Sequence, residues 1–541
     1  MAEPGMPRGD FILKHLPPVD QWPDFINRDV VTEDAPFNCA AVLLDDAVKD
    51  GYGQKIAIHT AERAWTYADL LSQANRIAHV LVDDLGLKPG GRVLLRGANN
   101  AMMAASWFGV VKAGGIAVST MPMLRAKELI TIGDIAEAEF ALCDEALGEE
   151  MEAAAATSDY LTKLLYFNGS GQLEALSANK PETFENRVGS ADDIALIAFT
   201  SGTTGKPKGA LHSHHAVLAV CETYSRQVLK PTPADVFIGT PPLAFAFGIG
   251  ALLFFPLHAR AATVLLDKMS PEILLESIRR FKATMLFTAP TAYRALLAAC
   301  SGQDLESLRM CVSAGEALPK PTTEAWLEKT GLRIYDGIGS TELMHIFLSV
   351  DGPDAPVGCL GKPVPGYEAR IINEAGGDAA VGEIGLLAVR GPTGCLYLGD
   401  ERQKKYVADG WNVTGDAARK DENGYFWYEA RADDMIISAG YNIAAPDVEQ
   451  TLLQHPAVAE CGVVGVPDPD RGQVVKAYVV LRDGYVAGEA MVGELKTFAK
   501  QTSAPYKYPR AIAFIDQLPR TKTGKIQHFV LRELAKADAE R

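Results

Sequence analysis

Short apolar runs alternating with segments of helical periodicity constrain this chain more than any other feature. "GRVLLRG" (91–97) reads as a strand between two helices, "YADLLSQANRIAHVLVDDLG" (67–86) and "AMMAASWFGVVKAGG" (101–115), each closed by glycine. "IALIAFT" (194–200), "RAATVLLD" (260–267), "ATMLFTAP" (283–290) and "RMCVSAG" (309–315) are further buried strands, each near a helical segment. Strands interleaved with helices imply an α/β fold, its sheets layered by helices.

After about Gly361 the texture changes. "YEARIINEAG" (367–376), "EIGLLAVRG" (383–391) and "YFWYEAR" (425–431) are strands separated by Gly-rich turns, a β-rich subdomain. From Asp433 another unit begins. "APDVEQTLLQHPAV" (445–458) has Pro446 near a helix start and acids in its first turn. "ECGVVGV" and "QVVKAYVVL" flank "PDPDRG" (467–472), which predicts a hairpin. A chain of 541 residues is too long for one core. The expectation is a large N-terminal domain over 1–432, made of layered α/β sheets plus the β-rich subdomain, and a small mobile α+β domain over 433–541.

A net charge of −16 argues against a general nucleic-acid binder but leaves room for a local basic pocket. The eight cysteines include no C-x-x-C pair, so neither a zinc site nor a disulfide framework is expected, and a reducing cytoplasm is the simpler setting. No apolar run is long enough to span a bilayer, and the N-terminal stretch lacks a signal-peptide core. No membrane or nucleic-acid partner is expected, and a homodimer is left open, since oligomeric state is not legible in the sequence.

"TSGTTGKPKG" (200–209) directly follows the apolar strand at 194–200. Its small residues let backbone N–H groups approach an anion, its hydroxyls donate, and Lys206 and Lys208 add charge. Pro207 stands where a nucleoside-triphosphatase loop needs Ser or Thr, so that class is rejected. Three histidines close by, His212, His214 and His215, lack a metal-ligand spacing with Asp, Glu or Cys and read as a polar loop ending.

The "TSGTTGKPKG" segment resembles the signature loop of the adenylate-forming superfamily, which includes acyl- and aryl-CoA ligases, amino-acid adenylation domains and luciferases. "WTYADL" (65–70), "VVKAGGIAV" (110–118), "YDGIGSTE" (335–342), "GEIGLLAVRG" (382–391), "VTGD" (413–416), "EARADDMIISAGYNI" (429–443) and "LPRTKTGKI" (518–526) follow in that family's order. The resemblance implies ATP and coenzyme A as substrates, with Mg²⁺. A carboxylate attacks the α-phosphate, pyrophosphate leaves, and a thiol then displaces AMP.

By resemblance, Thr200, Ser201, Gly202, Thr203, Thr204 and Lys208 would hold the β- and γ-phosphates. Thr341 would contact the α-phosphate and Glu342 would bind Mg²⁺. Gly315, Glu316, Ala317, Asp336 and Gly337 would form the adenine slot, while Asp416 and Arg431 would hold the ribose. Lys525 would bridge the substrate carboxylate and α-phosphate. Asp433 would be the hinge of the moving small domain, and Gly440 would line the pantetheine tunnel. Taken singly, Asp416 could be a turn residue, Glu342 a solvated acid and Lys525 a surface lysine; the order of the motifs favours the functional roles.

Amino-acid adenylation domains usually carry an Asp after an aromatic residue in the acyl pocket. Here Phe245 is followed by Ala246, so a zwitterionic amino acid is disfavoured. Phe245, Ala246, Phe247 and Ile338 suggest a flat apolar wall suited to an aryl ring, with core packing as the plain alternative; by resemblance to benzoate-CoA ligases, Gly339 and His345 would join this acyl pocket. "VSAGEALP" and "DGIGSTELMHIFLS" resemble benzoate-CoA ligases, whereas "SAGYNIAAPDVE" and the opening "HLPPVDQWPDF" look closer to 2-aminobenzoate-CoA ligases. The expected activity is therefore ligation of an aromatic carboxylic acid, benzoate or 2-aminobenzoate, to CoA. The alternatives are an aryl-acid adenylating enzyme that loads a separate carrier protein, a short- or medium-chain fatty acyl-CoA ligase, and a catalytically dead binding protein on the same fold.

Overall fold

The structure is a computed structural model. It describes residues 9–32, 37–201, 207–300, 302–438, 441–468, 471–503, 507–520 and 526–539. The fold is α/β, and the chain divides into two compact units. The first comprises 1–369, 388–413 and 424–426; the second comprises 370–387, 414–423 and 427–541.

Two sheets organise the first unit. In the six-stranded sheet the strand Arg92–Arg96 lies between Ile116–Thr120 and Phe140–Asp144, parallel to both. Ile194–Ser201 follows on that sheet and pairs antiparallel with Pro207–Ser213, with Thr200 opposite Lys208. In the nine-stranded sheet Val236–Gly239, Met285–Thr288, Met310–Ser313 and Ile334–Gly339 run parallel as successive neighbours. Ile346–Ser349 then turns back antiparallel. The strands predicted from "ATMLFTAP" and "RMCVSAG" are thus adjacent, while "RAATVLLD" gives only the short strand Ala262–Val264.

The helix Tyr67–His79 begins with a capping box: Thr66 Oγ1 accepts from the Asp69 amide at 3.1 Å, and the Asp69 carboxylate accepts from the Thr66 amide at 2.8 Å. It packs on the helix Ala101–Lys112, every residue of which is buried. Gly109 permits that closeness, because a Cβ there would lie 2.6 Å from Ile77 Cγ2. Lys112 is fully buried at the end of this helix and is held by Asp45 at 2.5 Å.

The β-rich region after Gly361 forms as the strands Glu368–Ile372, Gly385–Arg390, Trp411–Lys420 and Phe426–Arg431. In the second unit Val458–Asp468 and Gly472–Leu481 make the expected hairpin, in register at Val463 and Ala477. The helix Ala445–Leu453 starts with Pro446 in its first turn and contributes Val448 and Leu452 to a core shared with Val463, Val475 and Leu495. All eight cysteines are buried and unbonded. Among the described residues no helix is long and apolar enough to cross a membrane.

Candidate active site

Parallel strands in an open sheet expose their carboxyl ends as a ligand-binding edge. In the first unit that edge gathers several predicted residues. Ser313 is opposite Asp336 in the register of Met310–Ser313 and Ile334–Gly339. Gly315, Glu316 and Ala317 follow the first strand, and Gly315 turns the chain with φ of 91°. Asp336, Gly337, Ile338 and Gly339 lie on the second strand, and Thr341 and Glu342 occupy the turn after it. Gly339 has to be glycine-sized, since a Cβ would stand 2.6 Å from the His345 carbonyl oxygen. Met344 takes a left-handed φ of 71° in the same turn, a conformation that needs support from its surroundings.

Glu342 is 7% exposed and its Oε1 meets two partners. Lys208 Nζ lies 3.0 Å away, and Tyr397 Oη donates to it at 2.5 Å. Lys208 also donates to Tyr397 Oη and sits over the Tyr397 ring, 4.4 Å from its centroid. Burial alone would push the Glu342 carboxyl up; Lys208 and Tyr397 more than offset it and hold the pKa below the usual value. Tyr406 completes the group, its hydroxyl 3.3 Å from Ser340 Oγ and its ring 5.7 Å from that of Tyr397. The arrangement is a buried, charge-compensated carboxylate–ammonium pair bordering the Gly-rich loop.

Asp336 behaves differently. It is buried, its Oδ1 has no hydrogen-bond partner among the described residues, and burial raises its pKa to about 8, against the lowering influence of the Gly337 amide. The folded chain therefore keeps a proton on Asp336 that the unfolded chain releases near pH 4. Stability from this group falls as pH rises through that window, by about 1.4 kcal/mol per pH unit. The Asp336→Asn variant removes the dependence. Urea unfolding should show it little changed relative to wild type near pH 4.5 and clearly stabilised at pH 8.5; equal differences at both pH values would contradict the assignment.

The predicted acyl residues cluster in part. Phe245 precedes the short helix Ala246–Ile249. The Phe247 ring lies 5.6 Å from the His345 ring and 6.2 Å from that of Phe287. Phe255 and Tyr224 also face His345, at 4.5 and 5.5 Å. His345 is 3% exposed, and burial pushes its pKa down to about 3. Ala246 is buried and Ile338 half-buried. No ring contact joins Phe245 to this group among the described residues.

In the second unit Asp416 is buried and accepts from Arg431 Nη1 at 2.8 Å. Arg431 also donates to the Thr414 carbonyl at 3.2 Å. Gly415, with φ of 75°, makes room for the guanidinium: a Cβ there would be 3.0 Å from Arg431 Nη2. Elsewhere in this unit His528 lies 2.8 Å from Glu449 and 3.8 Å from Asp434, and Asp434 pairs with Arg532 at 2.6 Å. Burial would push the His528 imidazole down, but the two carboxylates hold it above its usual value.

Gly202, Thr203, Thr204, Gly440 and Lys525 lie outside the described residues, as do the side chains of Ser201 and Asp433. Tyr397 and Tyr406 were not anticipated from sequence. The histidine reading needs correcting. His212 sits in the strand Pro207–Ser213, and His214 and His215 start the helix His214–Val220, capped by Ser213. They are 1%, 6% and 0% exposed, so they are core rather than a polar loop ending. His214 Nδ1 lies 3.2 Å from the Cys39 amide, and His215 Nε2 lies 3.0 Å from the Arg28 carbonyl. Among the described residues no cluster of three His, Cys, Asp or Glu could hold a metal.

Comparison with known proteins gives a consistent picture. Residues 45–398 match the family model described as AMP-binding enzyme, and 447–525 match the AMP-binding enzyme C-terminal domain. A benzoate–CoA ligase of Thauera aromatica is 35% identical over 92% of this chain and 96% of its own. The mitochondrial acyl-coenzyme A synthetase ACSM3 of Homo sapiens is 32% identical over 92% of this chain and 89% of its own. Among solved structures, the anthranilate CoA ligase AuaEII in complex with anthranoyl-AMP superposes with a TM-score of 0.87 at 34% identity. It covers 94% of this chain and 99% of that one.

Proposed function

The chain belongs to the AMP-binding enzyme family and is an AMP-forming acyl-CoA ligase, and on that premise we propose that its acid is aromatic, of the benzoate or 2-aminobenzoate type. The observation that carries this reading is the group of aromatic rings around His345, together with Ala246 following Phe245 in the position where an Asp would hold an α-ammonium. The names of the two aryl-acid ligases support it.

The residues divide the work by charge. A carboxylate is a poor electrophile, and bringing it to an anionic triphosphate requires the protein to screen repulsion and align the groups. Lys208, with Thr200, Ser201, Thr203 and Thr204 of the adjoining loop, would hold the β- and γ-phosphates. Gly315–Ala317, Asp336 and Gly337 bound the adenine, and Asp416, oriented by Arg431, accepts the ribose hydroxyls. The carboxylate oxygen attacks the α-phosphorus, its charge offset by Lys525 while Thr341 donates to the α-phosphate, and pyrophosphate departs. The CoA thiol, losing its proton, then attacks the acyl carbon and AMP leaves. Movement of the domain at 433–541 about Asp433, with Gly440 beside the pantetheine arm, would separate the two half-reactions.

The residues fit a magnesium ion. Glu342 supplies one hard oxygen donor kept ionised by its neighbours, and the ion typically takes one or two carboxylates with substrate phosphates rather than a protein cage. Bound there, magnesium would neutralise phosphate charge.

The test is AMP release, with CoA present, across benzoate, aminobenzoates, hydroxybenzoates and fatty acids. An aromatic acid should exceed every aliphatic one in kcat/KM by about tenfold or more. A clear preference for an aliphatic acid, the second reading kept open by similarity to the human acyl-coenzyme A synthetase, overturns the aryl assignment. Thioester formation with free CoA separates this enzyme from a carrier-loading one.

A further inference from the structure

We propose that Tyr397 and Gln403 are positioning residues for nucleotide binding: Gln403 fixes Tyr397, and Tyr397 holds the Glu342 carboxylate in place when Lys208 turns to phosphate. The inference rests on the reading that Glu342 takes the magnesium ion and goes beyond it.

Two anions compete for one ammonium. Lys208 pairs with Glu342 Oε1 at 3.0 Å and lies over the Tyr397 ring. The same ammonium is proposed to hold the β- and γ-phosphates. Once drawn to phosphate, it leaves Glu342, which is 7% exposed, with one partner fewer. A buried anion deprived of a partner is costly unless another donor stays. Tyr397 Oη is that donor. It gives its proton to the same Oε1 at 2.5 Å, and its ring is fully buried. An ionised carboxylate only accepts, so the direction of this bond is fixed.

Tyr397 is held from two sides. Leu211 N donates to Leu396 O at 2.8 Å and Leu398 N to Gly209 O at 2.9 Å, which lays 396–398 along the strand Pro207–Ser213 with Ala210 opposite Tyr397. Gln403 secures the other side. It is buried, and its amide is used at both ends. Oε1 accepts from the Tyr397 amide at 2.8 Å, while Nε2 donates to the carbonyls of Gln21 at 2.8 Å and Cys395 at 3.0 Å. An amide N–H only donates and a carbonyl only accepts, so these partners allow one orientation of the Gln403 side chain. Gln21 belongs to an N-terminal segment that meets 391–410 at three further points. Gly399 N donates to His15 O at 2.7 Å, Asp24 N to Gly410 O at 2.8 Å and Ile26 N to Gly391 O at 3.1 Å. The segment carrying Tyr397 is thus bound to the strand after the Gly-rich loop on one side and to the N-terminal segment on the other. A displaced Tyr397 amide would carry the hydroxyl away from Glu342, so Gln403 acts on the site through Tyr397.

Calorimetry of ATP binding, with magnesium and with EDTA, tests the chain of contacts in wild type, Tyr397→Phe, Gln403→Leu and the double variant, with Glu342→Gln as reference. Tyr397→Phe keeps the ring and loses only the hydroxyl. It should weaken binding of ATP with magnesium by about tenfold or more, the scale for a lost hydrogen bond to a charged group, and change binding in EDTA by less than about threefold. Gln403→Leu should weaken binding in the same sense, with KM for the acid and for CoA within about threefold of wild type. Added to Tyr397→Phe it should cost less than about threefold more, because its effect passes through the hydroxyl already removed. Gln403→Met serves if the leucine variant does not fold, and Tyr397→Phe tests the inference in either case. Undiminished binding with magnesium in Tyr397→Phe, where Glu342→Gln loses it, overturns this inference alone. Equal losses with and without magnesium also overturn it, since a general support of the fold acts on both. Additive losses in the double variant overturn the role of Gln403 through Tyr397. Wild-type affinity with magnesium in Glu342→Gln would instead remove the metal reading on which the inference stands.

Discussion

Lys525→Ala slows acyl-adenylate formation by about two to three orders of magnitude, the scale for losing one charge donor in the transition state. The expectation rests on where charge develops. In the first half-reaction two anions meet, and a single ammonium placed between carboxylate and α-phosphate lowers that barrier more than it lowers the energy of bound substrates. Pyrophosphate exchange into ATP reports this step directly. The second half-reaction has no such convergence of anions, so thioester formation from synthetic acyl-adenylate should retain most of its rate in the same variant. Near-wild-type pyrophosphate exchange would refute the role. Equal losses in both half-reactions would refute their separation by movement of the small domain. The Glu342→Gln variant makes a useful contrast. It removes the carboxylate that Lys208 and Tyr397 hold ionised, so its defect should appear in ATP binding measured by calorimetry as well as in rate.

Much of the frame was legible in the letters because it is written locally. Apolar runs such as 194–200 and 309–315 become strands, and Pro446 marks its helix start, since periodicity and end signals act within one element. The hairpin at 458–481 was equally readable from two apolar runs around "PDPDRG". What stayed hidden depends on pairing across the chain. Tyr397 touches Glu342 and Lys208 across 55 and 189 residues, and nothing in "CLYLGD" announces either partner. The burial of Asp336 came from sheet order rather than from its neighbours in sequence. The histidines misled for a chemical reason. Three imidazoles in four residues look polar, yet an imidazole needs little free energy to become neutral near pH 7 and then packs as an aromatic ring. Burial of His212, His214 and His215 is therefore compatible with a core position, where three lysines would not be.

Those same histidines should cost the first unit stability in mild acid. His212, His214 and His215 have pKa values pushed to about 4 by burial, and His345 to about 3, all below the unfolded value of 6.5. Between pH 6.5 and about 4 the unfolded chain takes up protons that the folded chain refuses. More protons bound to the unfolded state means that stability rises with pH, so acidification removes it. Asp336 opposes the trend by one proton, because its raised pKa favours the folded state as pH falls. His528 also opposes it, but in the second unit. Four imidazoles against one carboxyl leave an excess uptake of about three protons on unfolding near pH 5, a slope of about 4 kcal/mol per pH unit, and His59, also pushed down by burial, acts in the same sense. Against a typical folding free energy of about 5–15 kcal/mol, a drop from pH 6.5 to pH 4.5 is enough to unfold the unit. Urea titrations at half-unit pH steps should show the midpoint falling steeply below pH 6, before the carboxylates begin to titrate, and proton uptake measured at pH 5 should match the slope. A midpoint that stays level from pH 7 to pH 5 would mean that the imidazoles take up protons without unfolding, and that their surroundings are more polar than the packing of Cys39, Arg28 and Phe247 around them implies.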